Sequence, residues 1–259
     1  MRDQPAIVTA LRHDRTLVVA ALSLAIALSW AYLIAGAGTM QEIGDLLVPA
    51  GAQPWTPGYA AMMLVMWSIM MAAMMLPSAA PMILLMATIE RARCRGEGSA
   101  AASGSFASGY VAIWTAFSIG ATVIQYGLDV AALLSPAMAT TSIAVAGGTL
   151  IAAGIYQLTP FKQACLRRCR SPLEFAMTRW RSGNTGAFMM GIEHGLFCLG
   201  CCWALMLLLF VGGVMNMSWI AGLTIFVMIE KLAPAGHWLG RLAGILLIGW
   251  GAAALGGAL

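Results

Sequence analysis

The sequence has few charged residues for its length. Of its 259 residues, 9% are Asp, Glu, Lys or Arg and 61% are hydrophobic, whereas a soluble globular domain carries about 25% charged residues. The mean hydropathy of +0.85 also excludes a disordered chain. Apolar runs recur from Leu17 to the C-terminus. The composition therefore predicts an all-α, polytopic helical membrane protein.

The sequence also lacks several motifs that mark enzymes and nucleic-acid-binding proteins. It contains no phosphate-binding glycine loop, no Gly-x-Ser-x-Gly elbow and no His-Glu-x-x-His pair. Seven membrane crossings of about 20 residues each use over half of the chain, so we expect no separate aqueous catalytic domain. The net charge of +4 comes from basic residues between apolar spans. This placement indicates the lipid bilayer as partner rather than nucleic acid.

Seven apolar runs, separated by turn and charge signals, are candidate transmembrane helices. They cover residues 17–35, 59–76, 106–128, 138–158, 186–211, 214–229 and 238–255, within a single integral membrane domain over residues 1–259. With the N-terminus inside, all fourteen Lys and Arg residues fall on the cytoplasmic side, which is the positive-inside pattern. The first run also resembles a signal peptide, but its length favours a retained anchor. The expected location is the inner, or plasma, membrane.

The fifth predicted span concentrates ionisable and sulfur side chains inside an apolar stretch. Glu193, His194, Cys198, Cys201 and Cys202 follow one another there within ten residues. Intramembrane ionisable residues are functional candidates, and thiolate and imidazole are preferred ligands of Cu(I) and Zn. The alternative is structural, since buried cysteine packs as a small hydrophobe and a Glu-His pair can neutralise itself. We favour soft-metal binding, with copper expected and zinc as the alternative, because the imidazole and three thiols occur together.

Helical geometry separates these residues into close and distant pairs. At about 100° per residue, His194, Cys198 and Cys201 share one helix face, but roughly 10 Å of rise separates the first from the last. One metal ion therefore cannot take all three side chains unless the helix is distorted. The spacing predicts that His194 and Cys198 bind one metal ion together. Cys201 or Cys202 then serves a second position or a relay step, with Glu193 in a supporting role.

A cluster of thioethers lies in the second predicted span. Seven of the nineteen methionines fall within fourteen residues there. At helical spacing, four of them form a stripe within about 80° of arc: Met63, Met66, Met70 and Met74. Methionine often fills gaps in helix packing, which is the structural interpretation. Because a thioether binds Cu(I) without carrying charge into the bilayer, we predict the last three as metal ligands and Met71 as a supporting residue.

Three further features carry weaker signals. Glu230 and Lys231, at the inner end of span six, are expected to form a self-neutralising pair rather than a proton or metal relay. Asn216 is expected to cap the helix that follows it, with a ligand role as the alternative. Cys165 and Cys169 lie among basic residues of a predicted cytoplasmic loop. They are either exposed thiols that pass metal to a cytosolic acceptor or chance surface cysteines.

Two segments resemble those of a bacterial family described as predicted metal-binding integral membrane proteins of unknown function. The first runs from Met66 to Pro77, with Pro81 beyond it. The second runs from His194 to Trp203, followed by Met215-Asn216, Trp219 and Glu230-Lys231. The resemblance implies a helical domain in a bacterial inner membrane and no settled activity. It also implies metal binding by the residues that match the motif, which are His194, Cys198, Cys201 and Cys202.

These features favour one function and leave two others open. The first hypothesis is an inner-membrane protein that handles or moves a soft metal such as Cu(I) through an intramembrane Met, His and Cys site. Its partner is then a metal-donor or acceptor protein. The second is a membrane enzyme, either a metalloenzyme or a quinone-linked thiol oxidoreductase that uses Cys198 and Cys201. The third is a structural subunit of a membrane complex in which the thiols pack and bind nothing.

Overall fold

The computed structural model describes residues 16–36, 55–93, 99–135 and 137–257. Within these ranges it is helical, without a β-strand beyond one isolated bridge, so the predicted all-α class is confirmed. The helices in chain order are α1 (Thr16–Gly36), α2 (Pro57–Arg93), α3 (Ser99–Val130), α4 (Ile143–Leu158), α5 (Pro160–Arg170), α6 (Pro172–Arg179), α7 (Gly183–Leu207), α8 (Leu209–Gly212), α9 (Met217–Leu232) and α10 (Gly236–Leu255).

Five described helical segments are long and apolar enough to cross a membrane, namely Thr16–Gly36, Pro57–Arg91, Ala100–Val130, Gly183–Gly212 and Gly236–Leu255. The pair α4 and α5, bent by 65° at its break, adds a sixth if it is one broken span. α9 has 16 residues, fewer than the about 20 that a bilayer core requires. Helices thus lie in all seven predicted segments, but seven crossings are not confirmed. The inside placement of the N-terminus stays a prediction.

Capping side chains fix the helix ends that position the later helices. Thr159 ends α4 and begins α5: its backbone is extended, and its hydroxyl accepts a hydrogen bond from the Lys162 backbone N–H at 3.2 Å. Pro160 occupies the first position of α5, where no backbone donor is needed. Asn216 caps α9 by accepting from the Trp219 backbone N–H at 3.2 Å. The predicted capping role of Asn216 is therefore confirmed.

Close helix packing surrounds the polar part of α7. α3 packs along both α2 and α7, α5 packs on α7, and α10 packs along α4. A Cβ atom on Gly191 of α7 would collide with the Phe106 carbonyl of α3, and one on Gly109 of α3 would collide with the Phe188 carbonyl of α7. Glycine at these two positions lets the backbones touch, as small residues do in membrane helix pairs. α3 thereby forms one wall around the middle of α7.

Candidate metal centre

Five sulfur-containing side chains from α2, α5 and α7 converge, and we call them the sulfur cluster: Met75, Cys169, Cys198, Cys201 and Cys202. The Sγ of Cys202 lies 3.9 Å from the Sδ of Met75. The Sγ of Cys201 lies 4.0 Å from that of Cys169. The three thiols of α7 are each 1% exposed, and Met75 is fully buried. Soft donors of α2 and α7 therefore meet in a water-excluded interior, and Cys169 of α5 joins them from a partly exposed position.

Backbone geometry orients the two thiols at the end of the motif. Cys201 and Cys202 both donate their S–H to the Cys198 carbonyl, at 3.1 and 3.0 Å. Consecutive residues of a helix point about 100° apart. Cys201 consequently faces α5, and Cys202 faces α2. The double cysteine thus reaches two different helices from one turn of α7.

Cys198 has the most polar surroundings of the cluster. Its thiol interacts with the other three thiols, and its Sγ lies 2.9 Å from the Tyr110 hydroxyl and 2.9 Å from the Lys231 Nζ. The Lys231 ammonium also donates to the Ser78 hydroxyl at 3.1 Å, and its residue is 5% exposed. A buried ammonium at this distance offsets the negative charge that a metal-binding thiolate brings into an apolar interior.

His194 lies one helical turn before Cys198 in an aromatic pocket. The centre of its ring is 5.8 Å from that of Phe106, 5.9 Å from that of Tyr110 and 5.5 Å from that of Phe175. The residue is 3% exposed, and its Nδ1 has no hydrogen-bond partner within the described part of the chain. The imidazole therefore retains a free nitrogen in a buried position, as a ligand would.

The carboxylate of Glu193 points away from His194. Its Oε1 accepts a hydrogen bond from the Arg179 guanidinium at 3.1 Å and lies 3.7 Å from that of Arg181. A self-neutralised Glu193–His194 pair, the structural alternative from the sequence, is therefore wrong. Neighbouring helix positions diverge by about 100°, and the carboxylate anchors the basic segment that precedes α7.

The predicted self-neutralising pair of Glu230 and Lys231 is also wrong. The Glu230 Oε1 lies 2.5 Å from the Lys162 Nζ of α5, and Lys162 also donates to Gln157. Lys231 turns to Cys198 instead. Because the two residues are consecutive on α9, their side chains reach different neighbours. Each is buried, at 0% and 5% exposure, so each needs its separate partner.

The predicted loop position of Cys165 and Cys169 is wrong as well, and of the two thiols Cys165 is buried whereas Cys169 is partly exposed. Both lie in α5, which packs on α7. Cys165 is 9% exposed, and its sulfur fills the space beside Gly200. Cys169 contacts Cys201. A helix with a buried face could have been predicted here from the spacing i, i+3 and i+7, which places Lys162, Cys165 and Cys169 on one face.

The predicted methionines are buried in α2, but the thioether that contacts a cysteine thiol belongs to Met75. Met70, Met71 and Met74 are fully buried and Met66 is 4% exposed. The contact to Cys202 comes from Met75, about 100° around the helix from Met74. Sequence reasoning missed Met75, although it lies one turn beyond Met71.

Two hydroxyl groups beside the cluster were missed without any clear sequence signal. Tyr110 of α3 donates to the Met75 carbonyl at 3.1 Å and lies against Cys198. Ser78 of α2 accepts from Lys231. Both residues sit in apolar helices where a single hydroxyl is unremarkable, and only the packing shows that they border the thiols.

The cluster is not a complete ligand shell. Over the described residues, no three His, Cys, Asp or Glu side chains are arranged to hold a metal ion together. The shortest sulfur contacts occur in pairs, and one of them joins a thiol to a thioether. Such pairs suit a soft, monovalent ion better than a hard ion that needs several oxygen ligands.

Comparison with curated proteins and with solved structures gave no match. A family model described as "Copper chaperone" (PpoB2) matches residues 64–254. The matched region begins within α2, ends within α10 and contains the whole sulfur cluster together with His194 and Lys231. It covers most of the chain, so this protein belongs to the PpoB2 copper chaperone family.

Proposed function

We propose that the chain is an integral membrane copper chaperone that binds Cu(I) at the sulfur cluster and passes it to a partner protein. Membership in the copper chaperone family supports copper handling. Helices long and apolar enough to span a bilayer support a membrane location. The observation that carries the intramembrane site is the 3.9 Å contact between Cys202 and Met75, beside a Cys198 thiol that faces a buried lysine.

The chemistry of these donors fits Cu(I) cargo. Thiolates and thioethers are soft ligands that select Cu(I). We assign the first binding position to Cys198, Cys202 and Met75. Two thiolates, one cuprous ion and the Lys231 ammonium sum to zero charge, and the thioether adds none. A neutral assembly avoids the cost of unbalanced charge in the apolar interior. His194, whose imidazole interacts with Cys198, is the candidate for an additional ligand.

A second position follows from the contact between α7 and α5. The thiols of Cys201 and Cys169 are 4.0 Å apart, and both interact with Cys198. Copper can therefore move between adjacent sulfur atoms, from the buried thiols of α7 to the partly exposed thiol of Cys169. This arrangement supports a short relay from α2 through α7 to α5.

The predicted methionines extend this relay along α2. Three buried methionines precede Met75 along α2: Met66, Met70 and Met74. The first of them lies about two and a half helical turns before Met75. We assign them to a thioether path that leads copper toward the cluster. Met71, one turn before Met75, supports the same path.

Anaerobic titration tests the first position. Purified protein in detergent micelles competes with a colorimetric Cu(I) chelator. Cys202→Ser and Met75→Leu should each weaken Cu(I) binding by about tenfold or more, equal to about 1.4 kcal/mol. Matched controls are Cys165→Ser, which removes another buried thiol, and Met82→Leu, which changes another buried methionine of α2. Exchange of Met for Leu conserves volume and leaves folding nearly intact.

The outcomes are distinct. Loss of affinity in both test variants, with wild-type affinity in both controls, supports the assigned position. X-ray absorption of the wild-type complex should then show sulfur as the main copper neighbour. Wild-type affinity in both Cys202→Ser and Met75→Leu would refute the assignment, because neither half of the thiol–thioether contact would then be needed.

A further inference from the structure

A basic pocket outside the sulfur cluster lies where α5 meets the start of α10. It encloses about 780 Å³, and its polar lining includes Gln163, Arg167, Arg170, His237 and Arg241. The three residues of α5 are spaced i, i+4 and i+7, and the two of α10 are spaced i and i+4. Each set therefore lies on one helix face. Two ridges that carry positive charge and hydrogen-bond donors thus face a common cavity.

The basic pocket is held in shape by the protein itself. The Arg170 guanidinium donates to the carbonyls of Ala233 and Pro234 at 2.6 and 2.7 Å. These bonds fasten the end of α5 to the turn before α10. The buried Nε2 of Gln163 has no hydrogen-bond partner in the ranges that the structure describes. That nitrogen is covered by the protein, so the donors that the cavity offers to a ligand are its guanidinium groups.

Two of the three guanidinium groups of the basic pocket form no ion pair with a described carboxylate. Basic side chains elsewhere in the protein do pair with carboxylates, as Lys162, Arg168, Arg179 and Arg181 show. Arg167 and Arg241 form no such pair with any described carboxylate. Arg241 instead lies over the Trp238 ring at 5.1 Å. The pocket therefore offers guanidinium groups that are free to bind an anion, and phosphate is the anion whose geometry they match.

The surface beside the basic pocket is apolar. Leu158, at the rim, is 43% exposed. Trp238, Leu242 and Ile245 are 62%, 55% and 61% exposed and follow one another at i, i+4 and i+7 along α10, which is long and apolar enough to span a bilayer. A ligand that fills the pocket and also covers this stripe has an anionic end and hydrocarbon chains.

We propose that the basic pocket binds the phosphate of an anionic phospholipid, with the acyl chains lying against Leu158 and the exposed stripe of α10. Basic pockets between membrane helices bind such headgroups. Because the apolar stripe lies on a helix long and apolar enough to span a bilayer, the acyl chains of a bound lipid hold its headgroup beside the pocket, whereas a free phosphate ion gains nothing from the stripe. The proposal concerns α5 and α10 and does not depend on where copper binds.

Native mass spectrometry of the purified full chain tests the proposal. Protein in a neutral detergent is titrated with phosphatidylglycerol, with phosphatidylcholine or with inorganic phosphate. We expect phosphatidylglycerol to bind more tightly than phosphatidylcholine. Arg167→Gln with Arg241→Gln should weaken phosphatidylglycerol binding by about thirtyfold, since each of the two basic residues near a membrane surface contributes about 1 kcal/mol. Arg168→Gln with Arg179→Gln, an equal loss of charge at other arginines, should leave binding unchanged.

Elution as a monodisperse peak shows that each variant is folded, and Arg241→Gln alone replaces the double variant if that protein aggregates. Equal binding of the two lipids would overturn the proposal. So would unchanged phosphatidylglycerol binding after loss of Arg167 and Arg241. Inorganic phosphate that displaces phosphatidylglycerol at equal concentration would assign the pocket to a soluble anion and would also overturn the lipid assignment.

Discussion

Replacement of Lys231 by methionine should weaken Cu(I) binding strongly while leaving the helix packing intact. The Lys231 Nζ lies 2.9 Å from the Cys198 Sγ inside the protein. Methionine has an unbranched side chain that fills the same volume along the stem but carries no charge. The variant therefore removes the positive charge that balances two thiolates and a cuprous ion. The bound state becomes a net anion in an apolar interior, which is unfavourable.

The magnitude follows from the distance. Two unit charges 2.9 Å apart attract each other by about 6 kcal/mol at an effective dielectric constant of about 20. Desolvation of the charges offsets part of this attraction, and removal of one member of a buried charge pair usually costs about 3–5 kcal/mol. We therefore expect the dissociation constant of Cu(I) to rise by at least about a hundredfold, which equals about 2.7 kcal/mol.

Competition with a colorimetric Cu(I) chelator under anaerobic conditions measures the effect. Methionine brings a thioether that can itself bind Cu(I). Lys231→Gln adds no sulfur and keeps a hydrogen-bond donor without the charge, so it should lose at least as much affinity as Lys231→Met. Ser78→Ala removes the other partner of the ammonium and keeps the charge, so its effect should stay within about threefold. Wild-type Cu(I) affinity in both the Lys231→Met and the Lys231→Gln proteins would refute the reasoning, because the site would then bind copper without a balancing cation.

Two further predictions concern stability. Glu230→Gln should leave Lys162 buried without a carboxylate and lower the free energy of unfolding by about 3 kcal/mol or more, whereas the double variant Lys162→Met with Glu230→Gln should regain part of that loss. Thermal unfolding in detergent compares the stability of the two variants. Equal stability of the single and the double variant would contradict the argument. Gly191→Ala should cost about 1–3 kcal/mol because its Cβ meets backbone. Gly120→Ala, which faces open space on α3, should not destabilise the protein, and similar losses in both variants would rule out the packing explanation.

The positions of the helices could be predicted from the apolar runs, but the number of helices that cross the membrane could not. Long apolar runs sufficed to locate α1, α2, α3, α7 and α10, because a run of that length has few other stable forms in a membrane. α4 and α9 have 16 residues each. A helix of that length spans, enters or lies beside a bilayer according to what it packs against, and sequence spacing carries no information on that packing.

The sequence was sufficient to predict which residues of α7 form the candidate site, but not which residues of other helices they contact. Three thiols and an imidazole in one apolar helix predicted a functional site on α7, since polar and ionisable groups inside apolar helices are rare and usually functional. Which helix each thiol faces depends on the packing angles of α2 and α5. Cys202 reaches Met75 and Cys201 reaches Cys169. Both contacts join residues far apart in sequence, so no local pattern could reveal them.

Charge balance at the first position also predicts which metal it selects. With Lys231 present, two thiolates and Cu(I) form a neutral assembly, whereas the same ligands with Zn²⁺ carry one excess positive charge in the interior. Without the ammonium the order reverses, because two thiolates neutralise Zn²⁺ but leave a Cu(I) complex negative. Lys231→Gln, which removes the charge without adding sulfur, should therefore shift the ratio of Cu(I) to Zn²⁺ affinity toward zinc by about a hundredfold or more. Parallel titrations with the two metals measure this ratio, with Ser78→Ala as the charge-conserving control. An unchanged ratio in Lys231→Gln would show that ligand softness alone, rather than the buried charge, sets the preference.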